Sequence, residues 1–90
     1  MQIQPVEPLV VLLNCGEVKT TSYLVELTEH MLSVTCTDFL EKGSAVLFKS
    51  RYFRGEASII TISYDHYRFT YTLEIEQINF QPGLLVNTQL

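Results

Sequence analysis

Between positions 67 and 76 the chain reads YRFTYTLEIE, and its apolar and polar residues alternate without a break. Tyr67, Phe69, Tyr71, Leu73 and Ile75 fall on one side of an extended backbone, and Arg68, Thr70, Thr72, Glu74 and Glu76 on the other. A period of two held over ten residues predicts a β-strand with one dry face and one wet face. Such a strand needs a paired neighbour and apolar cover for its dry side. The stretch SIITISY at 58–64 is rich in β-branched side chains and reads as that neighbour. Asp65 and His66 between them form a tight hairpin turn without the glycine such turns favour.

Four further strands are expected, at 9–15, 22–28, 32–37 and 45–53, with Gly55 marking the turn or bulge out of the last. Residues 38–43 read as one helical turn capped by Asp38. No ten-residue window has helical periodicity, and the prolines at 5, 8 and 82 leave the central stretch free to pair. Ninety residues make a single domain over 1–90, and a chain this small needs a core dense in apolar side chains. With 47% hydrophobic residues, five Tyr and five Phe, it has one. The fold class is all-β, a small antiparallel barrel or sandwich with little or no helix.

Ten acidic residues against six basic ones give a net charge of −4, too few cations to neutralise a phosphate backbone over several contacts. Nucleic acid is therefore an unlikely partner. The apolar run at 9–13 is too short to span a bilayer, and residues 1–8 lack the basic start of a secretory signal. The expectation is a cytoplasmic protein with no membrane span, whose Cys15 and Cys36 stay reduced.

The order of these parts resembles the PilZ domain, a six-stranded bacterial barrel that typically binds cyclic di-GMP. In that family a strand runs into a turn of the form [DN]-x-S-x-x-G, followed by a second strand, a short polar segment ending in Gly, and three more strands. Here ELTEHM at 26–31 occupies the turn, LSV at 32–34 the next strand and LEKG at 40–43 the polar segment. Over roughly residues 20–80 the resemblance implies the six-stranded barrel. Glu26 stands where Asp or Asn belongs, Thr28 where Ser belongs, and Met31 where Gly belongs. Glycine there takes φ > 0 and lets backbone approach a ligand, which Met does not do cheaply. The family's R-x-x-x-R, whose guanidiniums grip the phosphates, has no counterpart: Lys19 is the only Lys or Arg in the first 41 positions. The chain is thus identified as a degenerate PilZ-like domain without the usual cyclic di-GMP motifs, and Glu26, Thr28 and Met31 as the turn of an emptied site.

Other residues offer chemistry. Lys49, Arg51 and Arg54 place three of six basic residues within six positions, either an anion patch or the charged guard of an edge strand. Lys49 and Arg51 share a strand face, while Tyr52 and Phe53 point opposite ways, so one ring lies outside the core as a contact residue. Tyr67, Phe69 and Tyr71 share the core face with Leu73 and Ile75. His30, His66, Cys15 and Cys36 lack metal-ligand spacing, and no metal site is expected. Glu74 and Glu76 share a wet strand face, where no pocket raises a carboxyl pKa for acid–base work. No nucleophile motif or phosphate loop is present, so no enzyme is expected.

The function these features support is a non-enzymatic PilZ-like adaptor, acting through a protein partner at Lys49, Arg51, Tyr52, Phe53 and Arg54. The resemblance, and not the residues, implies a place in bacterial signalling or motility. The alternatives are a cyclic di-GMP receptor using that basic patch, with cyclic di-GMP otherwise no cofactor of the chain, and a small oligonucleotide-binding barrel. Leu84, Leu85 and Val86 form an apolar strip suited to self-association.

Overall fold

A computed structural model describes residues 2–81. Seven strands follow in chain order: β1 (Gln2–Ile3), β2 (Val10–Cys15), β3 (Val18–Thr28), β4 (Met31–Cys36), β5 (Ala45–Ser50), β6 (Phe53–Asp65) and β7 (Arg68–Phe80). All pairings are antiparallel and run β3–β2–β5–β6–β7–β4. The sheet closes because β3 also pairs with β4, from Tyr23 opposite Thr35 to Leu27 opposite Leu32. The result is a closed six-stranded barrel, with the short β1 added beside the end of β3. Among the described residues there is no helix.

Each barrel strand sends two or more side chains inward: Val11 and Leu13, Leu24 and Leu27, Leu32 and Val34, Val46 and Phe48, Ala57 and Ile59, Tyr71 and Leu73. The alternation of β7 lies in the expected register. Tyr71 and Leu73 are buried, Phe69 and Ile75 half-buried, and Glu74 and Glu76 exposed. Arg68, Thr70 and Thr72 are half-buried, because the outer wall has its own contacts. Arg68 Nε donates to Thr35 Oγ1 at 3.3 Å, and its guanidinium lies 5.9 Å from the Tyr23 ring centre.

Tyr67 is a correction: it is 87% exposed, not part of the core face. The hairpin turns one residue later than expected, so that His66 and Tyr67 are its central residues, at φ 53° and 64°. Two positive φ values are what a two-residue turn needs to match strand twist. That conformation takes Tyr67 off the alternation.

Two other expectations also change. Residues 38–43 form no helical turn. Asp38 does not cap; its carboxylate accepts from the Thr20 hydroxyl. Leu40 is drawn into the core, where its N–H donates to the Tyr71 hydroxyl at 2.6 Å, and that hydroxyl donates to Asp38 O at 2.8 Å. The core thus holds the loop in place of helical bonds. Gly55 does not mark the turn between β5 and β6, since it lies inside β6 opposite Phe48. A Cβ there would run into the Gln77 carbonyl of β7, so the residue is needed for close backbone approach, and a bulge follows it between Glu56 and Ala57.

Candidate functional site

The β5–β6 turn gathers the basic cluster in a way strand periodicity does not give. β5 ends at Ser50, so Arg51 lies in the turn and does not share a strand face with Lys49. Ser50 shapes that turn: its Oγ accepts from the N–H groups of Tyr52 and Phe53, both at 3.2 Å. A serine heading a tight turn commonly makes these bonds, which is the sequence signal that the boundary lay here. Gln81 N–H donates to Tyr52 O at 2.9 Å and pins the turn from the far side.

Lys49 instead stands directly opposite Arg54, a cross-strand pair of exposed cations. Like charges so placed destabilise a sheet, and among the described residues no carboxylate forms an ion pair with either of them or with Arg51. The Arg51 guanidinium lies 5.7 Å from the Tyr52 ring centre, and Tyr52 is half-buried. Tyr52 is therefore the outer ring of the pair. Phe53 is 2% exposed and packs edge-on against Phe48 and Phe80, which removes it from the contact residues. A depression of about 380 Å³ opens between Lys49, Arg54, Asn79 and Gln81.

Sequence reasoning missed the wall beside this tip. Leu12 and Leu47 are half exposed on the outer faces of β2 and β5. Together with Lys19 and Lys49 they line a second depression of about 410 Å³. Lys49 borders both hollows. The signal was present in the first half of the chain, where Leu12 and Leu13 cannot both point inward from a strand.

The polar groups of the β3–β4 turn at 26–31 are taken up within the chain. Thr28 Oγ1 accepts from Met31 N–H at 3.0 Å and from His30 N–H at 3.3 Å, holding the β3–β4 turn. The Glu26 carboxylate accepts from the side-chain amides of Gln2 and Gln4. Met31 is exposed and pairs with Glu74 of β7. The turn and the basic tip share no side-chain bond among the described residues.

Cys15 and Cys36 are free thiols, and burial pushes the Cys36 thiol above its ordinary pKa. No helix among the described residues is long and apolar enough to cross a membrane. Leu84, Leu85 and Val86 lie outside the described residues.

No protein-family model matches the sequence, and no curated protein matches it. A search of solved structures finds the Bacillus subtilis inhibitor of motility, MotI/DgrA, with a TM-score of 0.68 and 16% sequence identity. The match covers 88% of this chain and 43% of that one, so the chain spans less than half the length of the inhibitor. At that identity the likeness is one of fold: this chain forms the same kind of barrel as part of a motility inhibitor.

Proposed function

We propose that the chain is a non-enzymatic, PilZ-like adaptor module of bacterial motility control, whose basic tip docks on an acidic protein partner. The observation that carries this is the exposed Lys49–Arg54 opposition, with Arg51 and Tyr52 in the adjoining turn. Two cations held face to face cost the fold stability, and an anionic partner turns that cost into attraction. Leu12 and Leu47 beside Lys49 supply apolar contact, so the fitting partner is an acidic surface with an apolar centre. The barrel shared with a motility inhibitor supports the setting, and the self-satisfied Thr28 turn supports a mode without cyclic di-GMP in the family's usual place.

Overproduction of the chain in a motile bacterium should reduce swimming, and Arg51→Glu with Arg54→Glu should abolish the effect at unchanged protein level and with a melting temperature no lower than that of the wild type. A wild-type chain without effect, or a double variant as potent as wild type, rejects the adaptor reading. Exposed charges act mainly through association rate and are screened within about 10 Å at 0.1 M salt, so the loss should be largest at low ionic strength. Calorimetry with cyclic di-GMP addresses the rival receptor. Thr28→Ala should change no heat; tight binding that collapses on this change would mean that the turn is a live site.

A further inference from the structure

Three strands run past the end of a neighbour. β3 continues over residues 18–22 beyond its terminal β4 pair, Tyr23 with Thr35. β7 continues beyond its terminal β4 pair, Glu74 with Met31, and β6 beyond its terminal β5 pair, Ser58 with Ala45. An overhang leaves backbone N–H and C=O groups unpaired along one edge, and proteins usually guard such edges with charge, proline or a covering loop. The first overhang carries Lys19 and the second Glu76. The third is guarded only at its turn end, by Asp65: IITISY at 59–64 has no charge, no proline and no glycine. The 37–44 loop covers only its start, where Ile59 N–H donates to Ser44 O at 3.1 Å and Gly43 N–H donates to Ile59 O at 2.8 Å. Among the described residues, no strand and no loop hydrogen bond reaches residues 61–65 on that edge.

Hairpin geometry shows which atoms are free. A two-residue turn closes on a hydrogen-bonded pair, here Asp65 with Arg68. Counting back, Ser63 bonds to β7, whereas Tyr64 and Ile62 turn N–H and C=O outward. Apolar surface borders this edge. Ile62 is half-buried, and Tyr64, 58% exposed, lies 4.7 Å from Phe69 between ring centres. Phe39, 62% exposed, packs on the same Phe69 at 5.7 Å.

We propose that this edge is a self-association site, at which β6 pairs antiparallel with β6 of a second copy about a two-fold axis through Ser63. Charge and symmetry select the occupant. Each chain carries −4 and copies repel in general, yet the only charge on this edge is Asp65 at its turn end, which the two-fold register sets opposite Thr61. In the two-fold register Ser63 faces Ser63, Ile62 of one copy faces Tyr64 of the other, and Asp65 faces Thr61. No like charges meet. The free groups of Ile62 and Tyr64 bond each other twice over, and an aromatic–β-branched pair, a favoured cross-strand contact, forms on each side of the axis. The site lies at the opposite end of β6 from the basic tip, so it stands or falls apart from the adaptor function.

Sedimentation of the chain over a concentration series should show a monomer–dimer equilibrium. Hydrogen exchange at the amides of Ile62 and Tyr64 should slow as concentration rises. Ser63 is exposed, so Ser63→Lys leaves the barrel intact while setting two lysines face to face, and should weaken dimerisation about five-fold. Mixing Ser63→Lys with Ser63→Glu chains should restore a mixed dimer. A wild-type chain that stays monomeric at millimolar concentration overturns the proposal and leaves the edge to an unlike strand. A dimer indifferent to Ser63→Lys also overturns it, and points to another surface. The exchange of Ile62 and Tyr64 in the unmutated chain decides the matter without any variant.

Discussion

Gly55 and Tyr71 each do a task that no other residue type does in the same place. At Gly55 the β6 backbone lies against the Gln77 carbonyl, so any Cβ forces two paired strands apart. Gly55→Ala should cost about 3 kcal/mol or more in urea unfolding, against about 1 kcal/mol for an ordinary substitution. Tyr71 fills the core with its ring and uses its hydroxyl to satisfy Leu40 N–H and Asp38 C=O at once. Tyr71→Phe leaves both without that partner and should cost about 2–3 kcal/mol. Burial raises the Tyr71 pKa above its ordinary value and does the same for Cys36. A group whose folded pKa exceeds its unfolded value keeps its full stabilisation below the unfolded value and loses it as pH rises towards the folded one. Unfolding free energy should therefore decline from about pH 8.5, where the unfolded thiol ionises, and more steeply above about pH 10. In Tyr71→Phe the decline above pH 10 should be shallower.

Among the elements, the two hairpins show opposite economies. The β3–β4 turn is held by one hydroxyl, and Thr28→Ala should cost about 1 kcal/mol, with Thr28→Ser restoring it. The β6–β7 turn places His66 and Tyr67 in the left-handed region, which His tolerates better than most residues but which strains a bulky residue such as Tyr. Its His66–Asp65 contact, 2.9 Å long, sits almost wholly in solvent and offsets little of that strain. Replacing the two by Asn and Gly should raise stability by about 1–2 kcal/mol, measured as an upward shift of the melting temperature. A lowered melting temperature would mean that the exposed Tyr67 ring holds the tip in a way its 87% exposure does not show.

For the molecule as a whole, the ends of the long β6–β7 ribbon are chemically distinct, one cationic at Lys49, Arg51 and Arg54, the other aromatic at Tyr64 and Phe39. Lys49→Glu tests the cost carried at the cationic end. It turns a repelling cross-strand pair into an attracting one and should stabilise the barrel by about 0.5 kcal/mol while weakening the proposed effect on motility. A variant that gains stability and keeps full effect would free Lys49 of any role in partner contact.

The approximate strand positions of this barrel, and the two faces of β7, follow from residue order alone, because a period of two is a local property of the chain. Tyr71 and Leu73 inward with Glu74 and Glu76 outward needed nothing beyond YRFTYTLEIE. The strand–turn–strand layout at 22–37 was legible too, with Thr28 in the turn that its hydroxyl holds. Turn positions were less so: one residue of slip at Asp65 took Tyr67 from the dry face into solvent, and Ser50 broke a strand that composition continued to Phe53. What only the tertiary structure decided is which strands lie side by side and where one outruns another. Lys49 facing Arg54, Gly55 against Gln77, Leu40 pinned by Tyr71 and the bare edge of β6 are all contacts across the ladder. Their partners are set by register between segments far apart in the chain, and register depends on closure of the whole barrel, which no single segment encodes.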